Sequence, residues 1–201
     1  MNKIHHPFVI PISESSLQIS SDLLEHVNSL EMVSTNLNNS LISKEMNVLS
    51  LKEFKELRNQ IGNNILYFLC EECGLPKDIQ VEITSSWVNI HKKGDWAQSH
   101  KHMNSILSGV IYLSTPEKCG NIVFDNPCEL FGRTIIFDYQ SHNQLNRGEY
   151  EIEPKKNKLY LFPSHLVHSV LRNESDDDRI SLAFNCYIRT KVQSEGKFFT
   201  L

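Results

Sequence analysis

The 201-residue sequence lacks a hydrophobic run long enough to cross a bilayer. Its longest apolar stretches, Ile106–Leu113 and Leu159–Pro163, are far shorter than the roughly 20 residues of a transmembrane helix. The N-terminal segment also lacks a basic head followed by an apolar stretch, so nothing in it is typical of an export signal. These absences predict a cytoplasmic protein with no membrane partner.

Cysteine and positive charge are also scarce. The five cysteines are an odd number without the regular spacing of a disulfide framework, which predicts reduced thiols. The formal net charge is -4, and the lysines are scattered rather than clustered with aromatic residues. This charge pattern disfavours a nucleic-acid partner.

The composition is that of an ordinary globular protein, with 40% hydrophobic and 22% charged residues. The length fits one domain. Within that domain, the sequence pattern changes near residue 78. Residues 1–78 are predicted to form a helical, loop-rich buttress, which packs on a β-rich core formed by residues 79–201.

Two helices are predicted in the buttress. The first covers Ser21–Glu31, and Ser34–Ser40 after it is a polar connection that we expect to be unpacked. Ser50 and Glu53 have the spacing of a capping box, which predicts the start of a second helix with one apolar face. Gly74 ends that helix.

The core consists of short β-type runs separated by turn residues, as in an antiparallel sandwich or barrel. The predicted strands are Ile79–Ile90, Ile106–Leu113, Asn121–Phe124, Thr134–Asp138, Glu149–Glu153, Leu159–Phe162, Ser169–Leu171 and Arg179–Ile188. About eight strands fit a jelly roll of two facing sheets. The predicted fold class is therefore mainly β, with flanking N-terminal helices.

The histidines give the strongest chemical signal. His100 and His102 are two residues apart, and in an extended chain such residues point to the same side. His168, at the start of a distant strand, can complete a three-ligand metal site with one open face. His165 is the nearest alternative, and we favour His168 because it opens an apolar strand. Imidazole ligands suit iron, zinc and copper alike.

Arg179 and Ser181 are predicted to share one face of a strand that begins eleven residues beyond His168. A guanidinium binds a carboxylate through two hydrogen bonds, and a serine hydroxyl can add a third. An arginine inside a barrel needs such an anion. The same face continues to Asn185. The alternative is an edge strand whose arginine pairs with the aspartates of 176–178.

Tyr112 and Asn89 could line the same cavity. Tyr112 has the strand parity of His100 and His102, provided that no bulge intervenes, so its hydroxyl could bind a co-substrate or simply pack. Asn89 alternates with Trp87 on the preceding strand and is a candidate hydrogen-bonding residue for a ligand.

Together, these motifs resemble those of the 2-oxoglutarate/iron(II) oxygenase superfamily, and within it a group of oxygenases from marine bacteria and their phages. The resemblance covers about half the chain, from Ser86 to Asn185. The matching stretches are 86–91 with Gly94, 100–113, 120–127, 161–170 and 179–185.

The resemblance implies a double-stranded β-helix, iron(II), 2-oxoglutarate as co-substrate, and dioxygen. It places the metal on His100, His102 and His168, and the distal carboxylate of 2-oxoglutarate on Arg179 and Ser181. Tyr112, Asn89 and Asn185 are the remaining candidate cofactor-binding residues. The expected reaction is hydroxylation of a substrate, with release of succinate and carbon dioxide.

One position departs from the superfamily. In the superfamily, the first metal-binding motif is usually His-x-Asp or His-x-Glu. In this chain the motif is His100-Lys-His102, so a histidine stands at the third position. Three interpretations follow: a three-histidine site, a carboxylate supplied by Asp95 or Asp125, or an open position. We favour His102 because its spacing suits a ligand.

Two other functions remain open at this stage. One is a cupin-like three-histidine dioxygenase that does not use 2-oxoglutarate, and the other is a non-enzymatic ligand-binding jelly roll. The sequence does not identify the substrate, which is expected to be a small molecule or a peptide. A homodimer is compatible with the sequence.

Overall fold

The computed structural model describes residues 3–5, 8–35, 40–129, 134, 137–189, 191–194 and 197–200. Two α-helices, α1 (Ser21–Ser29) and α2 (Lys55–Leu66), lie in the N-terminal third. The strands are β1 (Ser13–Ser16), β2 (Met32–Thr35), β3 (Ser40–Ser43), β4 (Gln80–His91), β5 (Ala97–His100), β6 (Leu107–Ser114), β7 (Ile122–Asp125), β8 (Glu149–Ile152), β9 (Lys158–Pro163), β10 (His168–Val170), β11 (Arg179–Arg189), β12 (Lys191–Ser194) and β13 (Lys197–Thr200).

The strands form two main antiparallel sheets. The larger has seven strands in the order β1-β9-β6-β11-β4-β3-β2, and the smaller has four in the order β5-β10-β7-β8. β12 and β13 pair as a separate hairpin. The non-consecutive order, with β11 between β4 and β6, is the arrangement of a jelly roll, so the predicted fold class is confirmed.

Alternation of side chains divides the large sheet into two faces. On β11, Leu182, Phe184 and Cys186 belong to a buried cluster that also contains residues of α1 and α2. The opposite face, with Val110 of β6 and Phe162 of β9, packs with residues of β7 in a second buried cluster. The helices therefore cover one face of the large sheet, and the space between the two sheets lies on the other.

The predicted core strands agree with the structure. Each run from Ile79–Ile90 to Arg179–Ile188 coincides with a strand to within one or two residues, except for Thr134–Asp138. That run lies partly outside the described residues. The strands that the prediction missed are β1, β2, β3, β5 and the β12–β13 hairpin. Each of these strands is four residues long.

The N-terminal segment is less helical than predicted. β1 pairs with β9, and β3 pairs with β4, so this segment extends the large sheet on both sides. Ser40 was predicted to lie in an unpacked connection, but it begins β3 and is only 5% exposed. Ser40 pairs with Thr35 of β2, and its hydroxyl is buried without a hydrogen-bond partner among the described residues. Residues 36–39 lie outside the described part of the chain.

The two helices begin differently. The side chain of Ser20 accepts a hydrogen bond from the backbone N–H of Leu23 at 3.2 Å and caps α1. The capping box predicted for Ser50 and Glu53 is wrong. Ser50 ends a short 3₁₀ turn, and Leu51 is extended with φ -65° and ψ 148°. Because Leu51 interrupts the helix, the two side chains cannot cap the same turn.

Two further observations concern the whole described chain. None of its helices is long and apolar enough to span a membrane. All five cysteines are free in the structure.

Candidate active site

Three histidines converge between the two sheets. His100 ends β5 and lies directly opposite His168, the first residue of β10. His102 follows β5, and its backbone N–H donates to the carbonyl oxygen of Ser164 at 3.0 Å. One potential ligand atom from each ring lies within 4.8 Å of the others. This is the three-ligand cluster that the sequence predicts.

Backbone carbonyls fix the orientation of two of these rings. Nδ1 of His100 lies 2.7 Å from the carbonyl oxygen of Gln98, and Nδ1 of His168 lies 3.0 Å from that of Leu166. A carbonyl oxygen only accepts hydrogen bonds, so each Nδ1 carries the proton. The lone pair of each ring is then on Nε2, free for a metal ion, as is usual for metal-binding histidines.

The environment keeps two of the rings neutral. Burial, and then the neighbouring His100, lower the pKa of His168 to about 3. The same two causes lower the pKa of His102 to about 4. Only a neutral imidazole can bind a metal, so both side chains are available as ligands at neutral pH.

The alternative ligands do not join the cluster. His165 is exposed. Among the described histidines, cysteines, aspartates and glutamates, the candidate metal-binding group consists of the three histidines alone. Asp95 instead accepts a hydrogen bond from the backbone N–H of Lys92 at 2.8 Å. The geometry therefore favours the three-histidine interpretation over a carboxylate from Asp95 or Asp125.

The histidines open onto a cavity between the sheets. Its walls include strands of both sheets, and its apolar side chains limit the access of water to the metal-binding face. The residues that line it are Trp87, Asn89, His91, Ala97, His100, His102, Gly109, Val110, Tyr112, Ile122, Phe162, His168, Val170, Arg179, Ser181 and Ala183.

Arg179 is a buried cation in this cavity, with only 1% of its surface exposed. Its Nη1 donates to the carbonyl oxygens of Cys119 and Gly120 at 2.8 and 3.0 Å. Its Nε is buried without a hydrogen-bond partner. The alternative pairing with a neighbouring aspartate is not seen, and Asp176 pairs with Lys93 instead, at 2.6 Å. Arg179 therefore has donor capacity left for an anion.

Ser181, Asn89 and Tyr112 form a row beside Arg179. Ser181 lies opposite Asn89 on β4 and opposite Tyr112 on β6, and all three side chains line the cavity. Burial raises the pKa of Tyr112, so its hydroxyl stays protonated and can donate. The row offers several neutral polar groups next to one cation, an arrangement suited to a carboxylate.

Asn185 is not part of this group. It points to the same side of β11, but it is six residues beyond Arg179, about 20 Å along the strand. Its Oδ1 accepts a hydrogen bond from Ser108 at 2.7 Å, and its Nδ2 donates to Ser85 at 3.2 Å. Asn185 therefore belongs to a polar network with Ser108 and Ser85 and is not among the residues that line the cavity.

Three residues near Arg179 were missed by the sequence analysis. His91 is absent from the predicted site residues, yet it lies opposite Arg179 and lines the cavity. Its alternation with Trp87 and Asn89 could have revealed it. Asn173 donates to the carbonyl oxygen of His91 at 2.8 Å, and Gly120 supplies a carbonyl to Arg179. No sequence pattern identifies these two roles, because they depend on contacts between distant loops.

Comparison with known proteins agrees with this geometry. Residues 85–185, half of the chain, match a protein-family model described as "Putative 2OG-Fe(II) oxygenase". No curated protein matches the sequence.

Solved structures with the same fold are numerous, and three illustrate the likeness. An oxidoreductase of the 2OG-Fe(II) oxygenase family from Burkholderia pseudomallei is 14% identical, with a TM-score of 0.57 and coverage of 81% of this chain and 75% of that one. A prolyl-4-hydroxylase from Pseudomonas putida is 16% identical, with a TM-score of 0.55 and coverage of 88% and 92%. HygX from Streptomyces hygroscopicus, with nickel and 2-oxoglutarate bound, is 10% identical, with a TM-score of 0.58 and coverage of 88% and 82%.

At these identities the neighbours show a shared fold. The family itself is shown by the matched segment, which contains the three clustered histidines and Arg179. Neutral imidazoles suit iron(II), and a buried guanidinium with an unpartnered N–H suits a carboxylate, so the residues fit both cofactors. The chain therefore belongs to the 2OG-Fe(II) oxygenase family, whose members are oxidoreductases that use iron(II), 2-oxoglutarate and dioxygen.

Proposed function

We propose that this protein hydroxylates a small-molecule or peptide substrate in the cytoplasm, while 2-oxoglutarate is converted to succinate and carbon dioxide. His100, His102 and His168 hold the iron. Arg179 and Ser181 bind the distal carboxylate of 2-oxoglutarate, and Tyr112 and Asn89 supply neighbouring hydrogen bonds. The substrate enters through the open side of the same cavity.

One observation carries this proposal: a buried arginine that forms no salt bridge with any carboxylate of the described residues lines the same cavity as the histidine cluster. Burying a guanidinium is costly, and the carbonyls that hold Nη1 do not neutralise its charge. A dianionic ligand that binds a metal at one end and a cation at the other resolves this imbalance. 2-Oxoglutarate has that chemistry.

Each group has a defined task. His100 and His168 donate through Nδ1 to backbone carbonyls, which leaves Nε2 oriented for the metal. Arg179 is held by two carbonyls and fixes the position of the distal carboxylate. Phe162 and Val110 are buried apolar residues of the wall, and they exclude water that would compete at the site.

The bound cofactors supply the oxidising chemistry, which inserts one oxygen atom from dioxygen into a substrate C–H bond. The protein supplies orientation, charge and a dry cavity. Trp87 contributes to the wall next to the metal site, with its ring centroid 5.9 Å from that of His102. A substrate bound beside Trp87 would lie close to the metal ligands.

The test is anaerobic loading with iron(II) and 2-oxoglutarate, followed by exposure to oxygen and a succinate assay over a panel of amino acids, peptides and nucleotides. We expect about one equivalent of iron, saturable binding of 2-oxoglutarate and substrate-stimulated succinate. Protein that takes up no iron would contradict the proposal.

Arg179→Ala provides the matched variant for co-substrate binding, with Arg58→Ala on the exposed surface of α2 as its control. Loss of charge-assisted hydrogen bonds should weaken 2-oxoglutarate binding by at least about tenfold in the first variant. The control should bind like the unmodified protein. Unchanged binding in Arg179→Ala would instead favour a three-histidine dioxygenase that does not use 2-oxoglutarate.

A further inference from the structure

His91 is a buried histidine to which neither the fold nor the metal cluster gives a role. It ends β4, lies directly opposite Arg179 on β11, and lines the cavity. Only 4% of its surface is exposed. Side chains of residues directly opposite on neighbouring strands are adjacent, with Cβ atoms about 5 Å apart. The side chains of His91 and Arg179 are therefore neighbours on the cavity wall.

Within the described part of the chain, neither ring nitrogen of the buried His91 has a hydrogen-bond partner. Burial, and then the positive charge of Arg179, lower the pKa of His91 to about 3, so the ring is neutral at physiological pH. A neutral imidazole has one N–H donor and one lone-pair acceptor. A buried polar group without a partner destabilises the folded protein.

A packing role does not account for this arrangement. An apolar residue of similar size would fill the same space without two unsatisfied nitrogens and without a second ring next to a buried cation. The backbone at this position is firmly held, because Asn173 donates to the carbonyl oxygen of His91 and is itself fully buried. The imidazole is thus kept at the cavity wall with an unused donor.

The carboxylate proposed to lie at Arg179 can use that donor. A carboxylate has two oxygens with about four acceptor positions, and a two-pronged guanidinium contact together with the Ser181 hydroxyl fills three of them. Among the described residues, the Nε–H of Arg179 also lacks a partner. One anion between these side chains would satisfy groups that are otherwise orphaned on both.

We propose that His91 is a co-substrate-binding residue whose ring N–H donates to the distal carboxylate of 2-oxoglutarate, beside Arg179 and Ser181. This inference rests on the proposed function, in which Arg179 binds that carboxylate. It adds a neutral donor on β4 to the charged donor on β11, so the carboxylate is held from two strands.

The experiment compares two keto acids on the anaerobic iron(II) protein. 2-Oxoglutarate has the distal carboxylate and 2-oxobutanoate lacks it, so the ratio of their dissociation constants isolates that group. In His91→Leu we expect 2-oxoglutarate binding to weaken about 10- to 100-fold, as for a lost hydrogen bond to a charged group. Binding of 2-oxobutanoate should change by less than about twofold. His91→Gln keeps an N–H donor and should recover most of the affinity for 2-oxoglutarate.

A second measurement separates binding from structure. Without ligand, His91→Leu should melt at the same or a higher temperature than the unmodified protein, because two unsatisfied nitrogens are removed. The rise in melting temperature on adding 2-oxoglutarate should be smaller for His91→Leu than for the unmodified protein. His165→Leu, at an exposed histidine, serves as the control and should change neither value.

Three results would overturn the inference about His91: equal weakening of both keto acids, unchanged binding of 2-oxoglutarate, or no recovery in His91→Gln when that variant loads iron normally. A different result would overturn the proposed function itself. That result would be an unmodified protein that takes up iron but binds no 2-oxoglutarate.

Discussion

Arg179 donates through Nη1 to the carbonyl oxygen of Gly120 at 3.0 Å, so the loop between β6 and β7 orients the guanidinium of the first residue of β11. Gly120 has φ +84°, a conformation that favours glycine, and a Cβ atom there would lie 2.2 Å from the carbonyl oxygen of Leu171. The backbones of Gly120 and Leu171 must therefore stay at this close distance, because a shift of Gly120 would also move the guanidinium of Arg179.

Gly120→Ala should damage both stability and co-substrate binding. The added methyl group forces the backbone apart, which we expect to lower the free energy of unfolding by about 1–3 kcal/mol. It also moves a carbonyl that holds Arg179, so 2-oxoglutarate should bind more weakly. Urea unfolding and calorimetric titration measure the two effects. Gly62→Ala is the control, because nothing lies within 4 Å of a Cβ there and alanine favours the helix.

Removal of single histidines should identify the metal ligands. His100→Ala, His102→Ala and His168→Ala should each reduce iron uptake well below one equivalent, because each removes one of only three clustered ligands. His165→Ala should bind iron normally. Metal analysis after anaerobic loading and desalting provides the measurement. Normal uptake in His168→Ala with loss in His165→Ala would show that the wrong histidine had been chosen.

His102→Asp tests the departure from the usual motif. An aspartate there restores the His-x-Asp pattern of the superfamily, and a carboxylate is a suitable iron(II) ligand. We expect His102→Asp to take up iron, whereas His102→Ala does not. Equal iron uptake by His102→Ala and the unmodified protein would show that position 102 is open and that the imidazole is not a ligand.

The stability of the metal-free protein should fall as the pH is lowered. The pKa of His91 and that of His168 are both about 3 in the folded state, against about 6.5 in an unfolded chain. Between these values the unfolded state binds more protons, so the stability is complete above about pH 6.5 and is lost toward pH 3. Each of these histidines contributes a slope of about 1.4 kcal/mol per pH unit.

Urea unfolding at pH 7.5, 6 and 5 measures this slope. His91→Leu removes one of the titrating groups, so its free energy of unfolding should depend less steeply on pH than that of the unmodified protein. His165→Leu is the control with an exposed ring and should retain the full dependence. Identical slopes in all three proteins would contradict the assignment of a neutral, buried imidazole at position 91.

Asn185→Ala should affect stability much more than co-substrate binding. Its side chain bonds to Ser108 and Ser85, and removal of a partner from such a part-buried network costs about 1–3 kcal/mol. Because Asn185 does not line the cavity, the dissociation constant of 2-oxoglutarate should change by less than about threefold. A large loss of affinity for 2-oxoglutarate with unchanged stability would show that Asn185 binds the co-substrate.

The core strands and the chemistry-bearing residues were largely predictable from the sequence. Long strands such as β4 and β11 alternate clearly, so their bounds and faces could be predicted, including the separation of Arg179 and Ser181 from the apolar side of β11. His100 and His102 could be paired by their spacing. The short strands of the N-terminal segment were not predicted. For example, β1 has the sequence Ser-Glu-Ser-Ser, with no apolar residue whose alternation would indicate a strand.

The sequence by itself determined which residue types are present, their spacing and the alternation that turns some of them inward. Only the tertiary structure decided which inward-facing residues meet. Strand pairing brings His91 opposite Arg179 and His100 opposite His168, although these partners are far apart in the chain. It also separates Asn185 from Arg179, since residues on one face of a strand are spread along its length. The hydrophobic pattern of a strand decides which face is buried, but its register against a distant strand is fixed only when the two pack in the same sheet.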